Sequence, residues 1–500
     1  MRLRLLCAGR MWFGVSGTLS VVVAVLIAVS SRAGDWPGWR GPSADGTSAE
    51  TGLPIIWSEP ASDDPDEACA DLPMYGKCDT SSSENILWKI RIPSWGNSTP
   101  VIVDGSIYLT SQTDDNRLWV FCVDKHSGEC RWETELGTAR IPRASDAGEP
   151  HQGARGIQRF HEEQNLATPS VVADADVVVA TFGNGDLAGL DAATGEVLWR
   201  HNLASDYAPF SIWWGYASSP ALWNDAVITI CLQDNLVELV DRWEPRPSYI
   251  VAHHRKTGER LWYTERPTDA RGEPCDAYTT PLIVRDIPGI GPDGGSGDLV
   301  IVYGGLILDA YAPATGERIW EMRGFEGNRV ITGTTVADGV LYQVEGMRNR
   351  LFAAAVTNSA ITNREPGQFV DRSIDELLWT HSGTGGTPDS STPVVATGTD
   401  GGIVFIVTDN GIAKVIDTSD GTLLWNDRLG GNFRSSPLAA DGKVYFTGTD
   451  GVTLVYTASV EKKKIATNRL ATDEIRASIA VSDGKIYIRS RDFLYCIGTR

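Results

Sequence analysis

From Glu84 onward, apolar and polar residues alternate in short runs, and the runs are broken by pairs containing Gly, Pro, Asp or Asn. Period-two alternation predicts half-buried strands, and few segments carry a helical period. The most regular stretch is Leu190-Asp191-Ala192-Ala193-Thr194-Gly195-Glu196-Val197-Leu198-Trp199. It reads as a strand end, a tight turn at Thr194-Gly195 and a returning strand that ends on tryptophan. Variants recur at 123–132, 254–262, 314–320 and 416–425.

Each unit also opens on a small residue, mostly followed by proline, ahead of an apolar run. The openings are Thr99-Pro100, Thr168-Pro169, Ser219-Pro220, Thr280-Pro281, Thr334-Thr335, Thr392-Pro393, Ser436-Pro437 and Ser478-Ile479. Proline at the first residue of a strand costs no ladder bond. Successive openings lie 69, 51, 61, 54, 58, 44 and 42 residues apart. The shortest spacings match a four-stranded blade, and the longer ones carry loop insertions. The pattern predicts an all-β chain, an eight-bladed β-propeller with tryptophan-docking repeats. Trp88 lies 12 residues before Pro100, as Trp425 lies 12 before Pro437, and the last unit stops one strand short at 493–497. The strand around Trp88 is therefore expected to complete blade eight and close the ring without an open edge. Unit seven has Val460–Ile465 where the others have tryptophan.

Three segments follow. Residues 1–33 read as a signal peptide, with Arg2, Arg4 and Arg10, an apolar run over 19–29 and a Ser31-Arg32-Ala33 cleavage site. The alternative is an uncleaved anchor, for which the run is short. Residues 34–83 read as an arm whose Trp36, Trp39 and Trp57 dock onto a surface, followed by a mobile acidic insert. Residues 84–500 form the propeller. Export places the chain in the periplasm or outside the cell, where disulfides form. The expected pairs are Cys69–Cys78, across the insert, and Cys122–Cys130, across a hairpin.

Gly 52 and Trp 17 fit a turn-rich β chain, and the formal net charge of −20 repels nucleic acid. A monomer is expected, with no transmembrane span after cleavage. Other catalytic motifs, including nucleophile elbows, zinc signatures and phosphate loops, are absent from the sequence.

The Asp-x-x-Thr-Gly-x-x-x-Trp repeats resemble those of eight-bladed propellers of the pyrroloquinoline quinone (PQQ) type. That superfamily includes quinoprotein alcohol dehydrogenases and the propeller lipoprotein of the outer-membrane barrel-assembly machinery. Trp36-Pro37-Gly38-Trp39-Arg40-Gly41-Pro42, Gly215-Tyr216-Ala217-Ser218-Ser219-Pro220 and the ending 488–498 resemble hallmarks of exported planctomycete-type members. The resemblance implies two functions. One is a non-catalytic scaffold that binds an envelope protein or a small anionic ligand. The other is a dehydrogenase acting on an alcohol or sugar with PQQ and Ca²⁺ held by Glu, Asn and Asp. The chain lacks that group's adjacent cysteine pair and any Cys-x-x-Cys-His haem site.

A propeller brings the residues just before each innermost strand to one mouth of its channel. That rule names Trp214, Tyr216, Asn165, Arg329, Asp389, Arg434 and Arg476 as contacts for a planar anion, with Asn97, Asp276 and Tyr278 beside them. No metal ligand is assigned. The insertion from Thr138 to Gln164 concentrates Arg140, Arg143, Arg155, Arg159, His151 and His161, and reads as either a lid that attracts an anion or a solvated loop. A second insertion carries Trp243 as a docking loop.

Overall fold

The computed structural model describes residues 34–60, 69, 72–139, 160–212, 214–233, 247–268, 270–291, 294–347, 350–365, 367–383, 385–398, 401–471 and 474–499. The expected signal peptide, most of the arginine-rich insertion and Trp243 lie outside them.

Eight antiparallel sheets make eight blades. The first strands begin at Val101, Val172, Ala221, Leu282, Thr335, Val394, Leu438 and Ala480. Blade two's first strand begins three residues after Pro169, whereas blade one's begins one residue after Pro100, so the counterpart of Thr99 is Ser170. Strand Ile86–Arg91 forms the outer edge of blade eight beside Phe493–Ile497, which closes the ring as expected. Blade four gains a fifth, parallel strand, Val370–Ser373, from the long insertion of blade five.

The repeated hairpin is a joint between blades. Asp191 Oδ1 accepts hydrogen bonds from the backbone of Ala193 and Thr194 and from the Thr194 hydroxyl, which fixes the turn. Several of the outer-strand tryptophans face a glycine or an alanine on the neighbouring strand: Trp199 faces Gly189, Trp262 faces Ala252 and Trp320 faces Ala310. The indole lies flat in the space so left and reaches the next blade. Trp132 donates to Ala192 O (3.0 Å), Trp199 to Arg255 O (2.8 Å), Trp262 to Pro313 O (2.9 Å) and Trp379 to Thr418 O (2.7 Å). The turn glycine of that next blade then sits on the ring: Gly195 against Trp132, Gly258 against Trp199 and Gly316 against Trp262. Each repeat thus supplies one half of two joints. In blade seven Ala466 stands where the tryptophan would be, opposite Val455.

The arm does more than dock on a surface. Trp36 pairs with Ile102 of blade one, Pro37 accepts from Ala173 of blade two, and Gly46 accepts from Ala439 of blade seven. Arg40 donates to Thr335 Oγ1 of blade five at 2.9 Å and to Pro393 O beside blade six at 2.5 Å. The arm therefore crosses the bore, at the end opposite the predicted mouth. Trp36 and Trp57 are buried, and Trp57 stacks on Tyr445. An arm of this kind has no period because each residue meets a different blade.

The insert expected to be mobile is instead seated over its residues 72–78. Tyr75 and Cys78 donate to Arg91 and Lys89 of blade eight's outer strand, whose edge needs partners. Cys69 and Cys78 form the expected disulfide, with Cα atoms 5.6 Å apart. The second expected disulfide is absent: Cys122 and Cys130 are free. A bulge places Cys122 opposite Trp132 and Cys130 opposite Val123, so the two thiols do not face each other.

Buried tyrosines are expected to set the alkaline limit of the fold. Burial pushes Tyr108 and Tyr207 up to about 12, and pushes Tyr216, Tyr249, Tyr278 and Tyr303 further still. A tyrosine whose folded-state pKa exceeds its unfolded value adds stability that is complete below the unfolded pKa and is lost as pH climbs. Arg40 and Arg489, lowered to about 9 by burial, act in the opposite direction but are two against many. Melting temperature is therefore expected to fall steeply above about pH 10, with tyrosinate absorbance appearing only as the protein unfolds.

Candidate functional site

The Ser/Thr-Pro openings build the wall of the bore. The Thr99 N–H donates to Ser170 Oγ (2.9 Å), Ser170 to Ser219 Oγ (2.9 Å) and Ser219 to Thr280 Oγ1 (3.3 Å). On the far side Gly333 donates to Thr392 Oγ1 (2.8 Å), Thr392 to Ser436 Oγ (3.0 Å) and Ser436 to Ser478 Oγ (3.0 Å). Each of these six acceptor hydroxyls takes its bond from the preceding blade, and a short side chain is needed to stay out of the bore. The one position without a hydroxyl is Gly333, where a Cβ would lie 2.7 Å from the Trp39 indole. The arm's indole thus fills the gap in the hydroxyl ring and forms a floor.

Above that floor is a cup of about 260 Å³. Trp39, the ring hydroxyls, Trp214, His161, Tyr278 and three arginines line it. His161 meets Trp214 edge-on at 5.5 Å, and the Trp214 indole N–H reaches Glu273 Oε1 at 3.3 Å.

The cup brings together Trp214, Arg329, Asp389, Arg434 and Arg476, as the spacing rule expects, with Asn97 and Tyr278. It does not include three others. Tyr216 is buried and stacks on Phe210 at 5.0 Å. Asn165 turns outward, donating to Trp95 O (2.9 Å) and accepting from Ala167 N (3.0 Å). Asp276 is buried behind the wall. Spacing locates a residue along the bore but not the direction of its side chain. Trp39, Gln164 and the hydroxyl ring were missed as lining, although the recurring Ser/Thr before proline was their signal.

The arginines are not a bare positive patch. Arg329 bridges Glu273 (2.9 Å) and Asp389 (3.0 Å). Arg434 bonds Asp409 and approaches Glu163 at 3.5 Å. Arg476 bonds Glu163 (2.8 Å) and Glu474 (3.2 Å). Burial raises the Asp389 carboxyl, and the Arg329 charge offsets only part of that. At Glu163, burial acts upward, but the bonds and charges of Arg476 and Arg434 outweigh it and hold the carboxyl below its usual range.

Calcium with a quinone would need a cluster of oxygen donors and cationic groups left for the quinone carboxylates. Among the described residues, no group of three His, Cys, Asp or Glu side chains is placed to hold a metal ion. The three arginines are matched by carboxylates. The lining as it stands does not fit that cofactor pair.

The family model described as outer membrane protein assembly factor BamB matches residues 78–275 and 368–464. No curated protein matches the chain significantly. Among solved structures, BamB from Moraxella catarrhalis is 14% identical with a TM-score of 0.51, over 82% of this chain and 99% of that chain. The quinohemoprotein alcohol dehydrogenase from Comamonas testosteroni is 14% identical with a TM-score of 0.57, over 93% and 81%. Quinohemoprotein alcohol dehydrogenase ADHIIG from Pseudomonas putida HK5 is 13% identical with a TM-score of 0.55, over 93% and 80%. These likenesses show a shared fold. The matched segments of the family model cover more than half of the chain, and the chain belongs to that family.

Proposed function

We propose that this propeller is an exported, non-catalytic binding or scaffold protein of the cell envelope that holds a protein partner at its channel mouth. The observation that carries the reading is the arm across the bore: the channel is a one-ended cup whose open rim presents Trp214, His161 and paired charges. Rigid blades displaying loops around such a rim suit recognition. The family's description as an outer membrane assembly factor agrees with a protein partner. Export rests on the signal-like residues 1–33. Among the described residues no helix is long and apolar enough to cross a membrane.

Two measurements test the reading. Envelope extract is passed over the immobilised protein and over a Trp214→Ala/Arg434→Ala form of matched folding. A partner retained by the first and lost by the second is expected. Retention that is unaffected by the mouth substitutions contradicts the reading. Separately, PQQ and Ca²⁺ are expected to give no dye-linked oxidation of alcohols or sugars, and turnover would replace this reading with the quinoprotein one.

A further inference from the structure

Two arginines from neighbouring blades converge on a carboxylate that belongs to neither blade. Arg434 precedes the first strand of blade seven and Arg476 that of blade eight, while Glu163 arrives on the loop between blades one and two. Its two oxygens meet Arg476 Nε at 2.8 Å and Arg434 Nη2 at 3.5 Å. Each arginine has a second carboxylate that fixes it independently, Asp409 for Arg434 and Glu474 for Arg476. Arg476 also lies over the Trp95 ring at 5.6 Å. If Glu163 swung away, both guanidinium groups would stay in position with donors facing the mouth.

We propose that the Arg434–Arg476 pair is a recognition site for an acidic side chain of the protein partner, and that Glu163 fills it as a built-in competitor. The inference rests on the reading that the mouth binds a protein. Three features support it. The Glu163 side chain is 31% exposed, so it is accessible to exchange. Its backbone carbonyl is held separately by Asn97 Nδ2 at 2.8 Å, so withdrawal needs only a side-chain rotation. Exchange of one carboxylate for another leaves the charge of the clamp unchanged and adds no unpaired buried ion. Arg329 makes the contrast, because both of its carboxylates come from residues flanking its own wall. A peptide segment is the fitting source, since Glu163 already reaches the clamp as a side chain on a chain crossing the mouth.

The probe is a capped Gly-Glu-Gly tripeptide, titrated calorimetrically and by tryptophan fluorescence at low salt. Glu163→Gln is expected to bind it about tenfold more tightly than the unaltered protein, a gain of about 1.4 kcal/mol. The gain is expected to vanish in Glu163→Gln/Arg476→Ala, with capped Gly-Gln-Gly, and at high salt. Glu162→Gln makes the same charge change on the adjacent exposed residue and is expected to give no gain. Equal affinity in Glu163→Gln and the unaltered protein overturns the proposal, as does an equal gain in Glu162→Gln. Peptide binding by Glu163→Gln without any retained envelope protein upholds the clamp and removes the partner reading. Mouth-dependent retention without a peptide gain does the reverse.

Discussion

Gly195→Val is expected to lower stability by about 3 kcal/mol, read as a fall in the urea midpoint at unchanged slope. Two costs combine. Gly195 has φ +74°, a conformation that a β-branched residue adopts only under strain, and its added Cβ would lie 2.5 Å from the Trp132 ring. That ring cannot retreat, because its N–H is bonded to Ala192 O and its face packs in the interface between blades one and two. Gly442 separates the two costs. It has φ +68° with nothing within 4 Å of its Cβ position, so Gly442→Val is expected to cost only the backbone part, about 1 kcal/mol. Equal losses at the two sites would show that the turn, and not the blade joint, is what the glycine serves.

Trp36→Ala is expected to cost about 4 kcal/mol. The side chain is 1% exposed in the core shared by blades eight and one, and its backbone bonds both ways with Ile102. Losing the ring leaves a cavity at the point where the arm enters the bore. Trp39→Ala removes a half-buried ring, and about 1–2 kcal/mol is expected. The two variants also differ at the mouth: Trp39→Ala removes the floor of a cup whose walls remain. Thermal unfolding and the urea midpoint give the ranking, and a larger loss for Trp39→Ala would contradict the placement of Trp36 as the anchor. Deleting residues 34–58 is a poor test of partner binding for the same reason, since it removes the channel floor along with any docking surface.

The blade count and ring closure were legible because both depend on local repeats. A turn glycine with a tryptophan four residues later recurs down the chain, and Trp88 repeats the Trp425 offset. The same logic located most of the cup, since Arg329, Arg434 and Arg476 each precede an innermost strand. It failed where direction mattered. Tyr216 and Asn165 each lie four residues before an opening proline, yet one packs on Phe210 and the other turns to Trp95. Cys122 and Cys130 looked paired across a turn until the bulge shifted their register. Trp39 could not be placed from sequence because its partner, Gly333, lies in blade five, almost three hundred residues away. The arginines suggested an anion site, but their partners Glu163, Asp409 and Glu474 come from loops whose approach no local pattern encodes.

The proposal is that the channel mouth, and not the outer strands of the blades, contacts a protein in the envelope. Its direct test is photo-crosslinking in living cells, with a photoreactive amino acid at Trp214 in one strain and at Leu261 in another. Leu261 is 47% exposed on the outer strand of blade three, away from the cup. A discrete protein adduct from position 214 and none from 261 is predicted. An adduct from 261 alone, or from neither position, would contradict the account.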